Sequence, residues 1–233
     1  MNRLLPADLH QLQSHFKTIN DSPMIRVVVL TADTTGQKHP VFCSGYDVSG
    51  FEDGRHDPLL FEQTVNQLAT LRPVVIMALN GSVYGGATDI VLACDLRIAL
   101  KGTQFRMPAC ALGLHYYPSG LRRYVAALGV DGAKQAFLTG DALPVETLHR
   151  WGVFMALYAA EQWADAVDSL SQKVALLAPL ALQSTKASLN ELASGQAHDS
   201  VLYEREQMSL VSHDFKEGRK AFVERRVPQF LGH

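Results

Sequence analysis

Apolar positions along this chain alternate between two periods. In "LLPADLHQLQSHFKTI" (residues 4–19) they recur three and four residues apart, which predicts a short amphipathic helix. "MIRVVVLTA" (24–32) is a β-branched run without polar alternation, the pattern of a buried strand. Residues 34–47, "TTGQKHPVFCSGYD", read as turn-rich, with Ser44-Gly45 near their end. Helical spacing returns in "DPLLFEQTVNQLATL" (57–71) and breaks before Pro73. Then come a second buried strand, "PVVIMAL" (73–79), a loop carrying Gly81, Gly85 and Gly86, the apolar helix "TDIVLACD" (88–95) and the strand "LRIAL" (96–100).

Beyond residue 100 the pattern is mainly helical. "GLRRYVAAL", "DGAKQAFLTG" and "PVETLHRWG" each start or stop at a glycine or proline. From about Ala160 to His233 no strand pattern stands out; Pro179 is expected to separate two helices, and Pro228 to end the last one. Strands interleaved with helices, followed by helices alone, predict an α/β core over residues 1–175 and a helical C-terminal region over 176–233.

Composition narrows the function classes. At 47% hydrophobic and 19% charged residues, the 233-residue chain is of globular type. A formal net charge of −2 gives no electrostatic reason to expect nucleic acid as a partner, and the short basic runs "LRRY" and "ERR" read as solvated helix faces. Cys43, Cys94 and Cys110 are too few and too scattered for a disulfide framework or a zinc site, which fits a reducing compartment; the sequence names no metal and no separate cofactor. No apolar run approaches the ~20 residues of a membrane span. The first residues lack a secretory apolar segment. The expectation is a cytoplasmic protein without a membrane partner.

Among chemical motifs, the nucleophile elbow GxSxG, the dinucleotide fingerprint GxGxxG and the Walker loop are missing. His39, His56 and His115 read as loop or surface residues. Two glycine-bearing turns remain, "FCSGYD" (42–47) and "NGSVYGGATD" (80–89). Spacing alone fits ordinary strand-to-helix turns. It also fits two main-chain N–H groups converging on one oxygen, because glycine lets another atom approach the backbone closely. Asp89 lies three residues after Gly86 and shares its helix face. It reads either as the acid that moves a proton beside that oxygen or as a complement to the positive helix end. The pair Tyr116-Tyr117 reads as a second candidate for the site or as a packing element.

The second turn resembles the "NGxxxGGGxxLxxxCD" signature of the crotonase (enoyl-CoA hydratase/isomerase) superfamily. "VFCSGYDVSGF" is similar to that family's "aFcaGaDl" segment, residues 103–154 follow its central stretch without a gap, and "FKEGRKAFVERRVPQFLG" is similar to its usual ending. The resemblance implies a spiral of ββα turns and an acyl-CoA thioester substrate, with CoA as part of the substrate. It further implies a homotrimer or dimer of trimers, built and closed by the C-terminal helices. Carried over by position, it puts the paired donors at the N–H groups of Tyr46 and Gly86. The CoA arm falls along Phe42, Cys43, Ser44 and Gly45, with Gly85 and Tyr117 also at the substrate. Family chains usually begin some twenty residues earlier, with a β-hairpin, so the first strands are expected to be missing here.

Departures from the family pattern bear on mechanism. Family hydratases use two glutamates; those positions hold Asp89 and Ala109 here, and alanine moves no proton. Ala87 replaces a third glycine, and Tyr46 is bulkier than the usual residue. Tyr116 falls near a tyrosine of the family's methylmalonyl-CoA decarboxylases, with His115 a weaker candidate for the same space. A single carboxylate suits proton transfer between α and γ carbons better than hydration. The reading is therefore isomerase-type chemistry, with decarboxylation or a non-catalytic acyl-CoA binder as alternatives.

Overall fold

The computed structural model describes residues 2–47, 57 and 59–233. Residues 48–51 of the "VFCSGYDVSGF" segment lie outside them. The chain opens with helix α1 (Pro6–Asp21), whose Leu9 and Phe16 are buried and whose first turn begins on Pro6. Strand β1 (Val27–Leu30) and strand β2 (Val41–Cys43) come next. Helix α2 (Leu60–Ala69) then leads into strand β3 (Val74–Leu79) and the short strand β4 (Ser82–Tyr84). Helix α3 (Ala87–Ala93) precedes strands β5 (Leu96–Leu100) and β6 (Gln104–Arg106). A long helix, α4 (Pro118–Thr139), is interrupted at Gly129, where φ is +70°. Strand β7 (Ala142–Pro144), helix α5 (Val145–Arg150) and strand β8 (Ala156–Tyr158) complete the mixed part. Helices α6 (Trp163–Ala175), α7 (Pro179–Ser194), α8 (Asp199–Val211) and α9 (His213–Glu224) end the chain.

From β1 to β6, successive strands go to alternate sheets, and β7 then stays beside β6. One sheet runs β1-β3-β5-β8 and is parallel throughout; the other runs β2-β4-β6-β7, parallel except for the antiparallel β6–β7 pair. Up to β6, each pair of strands is followed by a helix, so the chain winds as ββα turns, the α/β spiral expected from the sequence. Strand β3 explains why the winding holds together. Val75, Met77 and Leu79 face the main core, while Val74 and Ile76 face a smaller cluster with Val174, Leu170 and Leu182. A strand covered on both faces needs a continuous apolar run, and "VVIMAL" supplies it.

Five three-residue strands escaped the periodicity, β7 and β8 among them, both within the part read as mainly helical. β2 lies inside the stretch expected to be turns, β4 inside the glycine loop, and β6 after β5. Three residues cannot display an alternation, and their neighbours in the sheet, not their own sequence, decide their state. Pro179 opens α7, so it does separate two helices. The last helix stops at Glu224, ahead of Pro228, because Arg225 turns left-handed at φ +54°.

The C-terminal helices are tied to the sheet by a buried charge. Lys186 Nζ on α7 lies 2.7 Å from Asp95 Oδ2 and donates to the Pro73 carbonyl at 2.8 Å; Asp95 also accepts from the Val75 N–H at 2.7 Å. Asp95 thus serves the architecture.

Candidate functional site

The two glycine turns meet backbone to backbone. Gly45 has φ +104° and Gly85 φ +58°, conformations that favour glycine. A Cβ on Gly45 would stand 3.1 Å from the Tyr84 carbonyl oxygen and 3.6 Å from Gly85 Cα, and one on Gly85 would stand 3.7 Å from Gly45 Cα. Leu4 pairs with Tyr46 on the outer edge: its N–H donates to the Gly45 carbonyl at 2.9 Å, and its carbonyl accepts from the Asp47 N–H at 2.9 Å. That pairing engages the Gly45 carbonyl and the Asp47 N–H, the backbone groups that flank Tyr46. Gly86 opens α3 in helical geometry, φ −54° and ψ −29°. Among the described residues its N–H donates to no protein acceptor. The Thr88 hydroxyl and N–H both bond the Gly85 carbonyl, at 2.5 and 3.0 Å, which fixes the turn just before that donor.

Phe61 of α2 leans over this junction. Its ring stacks on Tyr46 at 5.3 Å and sits 6.2 Å from Tyr117. A Cβ on Gly86 would lie 2.9 Å from Phe61 Cζ, so glycine is the residue that lets the ring close in. Phe42 and Cys43 are buried in β2, and the Gly45 N–H donates to the Cys43 sulfur at 3.4 Å. Ser44 is half-buried beside them.

Asp89 is fully buried on α3. Arg123 of α4 grips it through Nε to Oδ1 at 2.8 Å and Nη2 to Oδ2 at 2.6 Å, a two-point fork. The Tyr117 hydroxyl donates to Oδ2 at 2.5 Å and in turn accepts from the Tyr116 hydroxyl at 3.0 Å. Arg123 Nη1 donates to Asn66 Oδ1 of α2 at 2.8 Å. Burial, and then the Asp89 charge, hold both tyrosine hydroxyls above their ordinary pKa, so they stay protonated. Burial opposes the Arg123 charge, but its bonds to Asp89 outweigh that and keep it above its usual range.

The structure therefore gathers Tyr46, Gly86, Phe42, Cys43, Ser44, Gly45 and Gly85 at one junction, with Asp89, Tyr116 and Tyr117 in an adjoining cluster. Tyr116 stacks on Tyr117 at 4.2 Å and packs against Phe137 at 5.5 Å, so it is a packing element as well as a hydrogen-bond donor. Gly120 makes room for both rings, since a Cβ there would collide with Tyr116 Cε1 and lie 2.7 Å from Tyr117 Cε2. Ala109 is buried, and His115 is exposed.

One reading needs correction. "LRRY" is not a solvated face: Arg122 is exposed, but Arg123 is half-buried and holds Asp89. Arg123 and Phe61 were both missed. The available signal was chemical: a carboxylate inside an apolar helix requires a cationic partner from another element.

A model of the enoyl-CoA hydratase/isomerase family matches residues 1–233. The chain is 30% identical over 243 residues to (E)-benzylidenesuccinyl-CoA hydratase of Thauera aromatica, with 100% of this chain and 91% of the relative covered. To methylmalonyl-CoA decarboxylase of Escherichia coli it is 28% identical over 242 residues, with the same coverage. The crystal structure of an enoyl-CoA hydratase from Bacillus anthracis superposes with a TM-score of 0.85 at 25% identity, covering 99% of this chain and 91% of that one. The chain therefore belongs to the enoyl-CoA hydratase/isomerase, or crotonase, family.

Proposed function

We propose that the protein acts on an acyl-CoA thioester by drawing a proton from the carbon beside the carbonyl. The resulting enolate oxygen is held by the N–H groups of Tyr46 and Gly86. The observation that carries this reading is the junction of the two glycine turns, with the Gly45 and Gly85 backbones in contact. One such donor is worth ~3 kcal/mol in a transition state. Phe42, Cys43, Ser44, Gly45 and Gly85 line the arm of the substrate that carries CoA, and no separate cofactor is required.

Proton transfer between α and γ carbons is favoured over hydration. Water addition of the family type uses two acids, and Ala109 stands where the second would be. Asp89 and its tyrosines then handle a single proton, removed at one carbon and returned at another. The test is turnover of 2-enoyl-, 3-enoyl-, 2,4-dienoyl- and methylmalonyl-CoA in D₂O, followed by NMR. The expected result is migration of the double bond of the 3-enoyl thioester, with the transferred proton, or the solvent deuterium that replaces it on the carrier, arriving at the γ carbon, and a rate reduced ~10²–10⁴-fold by Asp89→Asn. Rapid hydration of a 2-enoyl thioester, without migration, would overturn the isomerase reading.

Decarboxylation is the second reading. It is favoured by the 28% identity to methylmalonyl-CoA decarboxylase and needs the same oxygen site without a base. The methylmalonyl-CoA arm of the assay decides it, and saturable binding without turnover would point to a non-catalytic binder.

The region 176–233 is assigned to assembly into a trimer or dimer of trimers and to closing the pocket. Support comes from apolar side chains left exposed on α8 and α9, with Val211 71%, Phe222 86% and Val223 81% accessible. Light scattering on the purified protein tests it, and a monomer at micromolar concentration would refute it.

A further inference from the structure

Among the described residues Asp89 is the one carboxylate of the tyrosine cluster, yet it is poorly placed to touch a substrate. It is 0% exposed, and three donors already fill its oxygens: Arg123 Nε on Oδ1, and Arg123 Nη2 with Tyr117 on Oδ2. A carboxylate offers about four acceptor positions, so little of it remains for a reacting C–H. Tyr117 differs on both counts. It is half-buried, and its ring lies 6.2 Å from Phe61, the ring that leans over Gly86. Its hydroxyl gives its hydrogen to Asp89 and takes one from Tyr116, leaving one lone pair on the phenolic oxygen uncommitted.

We infer that Tyr117, not Asp89, meets the substrate proton, and that Asp89 is the buried acceptor at the far end of a two-step relay held in place by Arg123. The inference rests on the acyl-CoA enolate reading above. In the step, the C–H bond at the α carbon breaks and its hydrogen bonds to the Tyr117 oxygen. The hydrogen already on that oxygen passes to Asp89. The C–H electron pair becomes the enolate double bond, and the carbonyl π pair moves onto the oxygen held by Tyr46 and Gly86. Returning the proton along the same path to the γ carbon restores the phenol and the carboxylate and leaves the double bond moved by one position.

Each neighbour has a part in this scheme. The Tyr116 hydroxyl, 3.0 Å away, steadies negative charge that builds on Tyr117 during the transfer. The Arg123 fork fixes both Asp89 oxygens, so that Oδ2 stays aimed at the phenol, and Asn66 anchors the guanidinium at 2.8 Å from the other side. Arg123 and Asn66 are thus positioning residues.

The experiment measures α-proton exchange of an acyl-CoA in D₂O by wild type, Tyr117→Phe and Arg123→Lys, with binding of a non-reactive CoA thioether followed in parallel. Tyr117→Phe removes only the hydroxyl and keeps the ring. A fall in its exchange of at least ~10²-fold with thioether binding unchanged supports the relay. Exchange within a few-fold of wild type overturns the relay and leaves the enolate reading standing. If wild type binds the thioether but exchanges nothing, or does not bind it, the enolate reading fails first and takes the relay with it. Arg123→Lys keeps the charge and loses the fork; a fall in kcat at constant KM is expected, and a change in KM alone would remove Arg123 from the scheme. Should Tyr117→Phe not fold, the wild type still decides. With α-deuterated substrate, a relay carries a solvent-exchangeable phenolic hydrogen through the slow step and gives a solvent isotope effect on kcat above unity. Direct capture by Asp89 gives none.

Discussion

Replacing Gly86 with alanine isolates one contact at the centre of the site. The backbone there is helical, φ −54° and ψ −29°, so alanine adds no strain and, by narrowing the unfolded ensemble, would stabilise by about 0.4–1 kcal/mol. The new methyl, however, would lie 2.9 Å from Phe61 Cζ and 3.0 Å from Cε1, when ordinary contact begins at 3.4 Å. The ring must therefore retreat by about 0.5 Å, the difference between 3.4 and 2.9. It has little room to do so, being 6% exposed and stacked on Tyr46. Overpacking of this kind costs about 1–3 kcal/mol, so a net destabilisation near 1–2 kcal/mol is expected, or a few degrees in Tm for a chain of this length. The assay is urea unfolding of Gly86→Ala, Phe61→Leu and the double variant. Leucine lacks the Cε and Cζ atoms, so in that background the alanine should become neutral or slightly stabilising. The change of sign between backgrounds is the expected signature. Equal destabilisation in both would mean that Phe61 is not what makes glycine necessary.

Three further outcomes are expected from other parts of the fold. Lys186→Met leaves the half-buried Asp95 without its ion-pair partner, and should cost about 3–5 kcal/mol in urea unfolding; a loss below about 1 kcal/mol would mean the pair behaves like one at the surface. Glu217 accepts the Arg226 fork at 2.6 and 2.8 Å and the Gln229 N–H at 2.8 Å, which holds its pKa down to about 2 from 4.5. A depressed carboxylate stabilises above its unfolded value and loses that contribution as pH falls through the folded one. Amide-exchange protection of Gln229 should therefore decline between pH 4.5 and about 2, and protection unchanged down to pH 2 would contradict the assignment. Burial pushes the Cys43 and Cys94 thiols up while Cys110 is exposed, so a disulfide reagent should label one of the three thiols rapidly in the native protein, and fast labelling of a second would refute this.

The long elements were legible because each carries enough residues to show its period. Leu9, Leu12, Phe16 and Ile19 marked α1, and the unbroken "VVIMAL" marked a strand covered on both faces. The two glycine turns could be paired from their motifs, but their contact could not, since Gly45 and Gly85 are forty residues apart and meet only through the β2–β4 pairing. The environment of Asp89 was also hidden. Its partners Arg123, Tyr117 and Tyr116 sit on or beside α4, and which arginine of "LRRY" turns inward depends on how that helix crosses α3. Strands of three residues stayed invisible for the same reason: their neighbours in space, not in sequence, make them strands.

Alternation of strands between two sheets has one more consequence. The Tyr46 turn belongs to the first winding of the chain, Gly86 and Asp89 to the second, and Arg123 to the helix that closes the third. On the proposed reading, no contiguous fragment shorter than this span holds the anion grip and the relay together, so a chain caught part-way through assembly lacks at least the relay. Competence for chemistry is thus a report on completed folding.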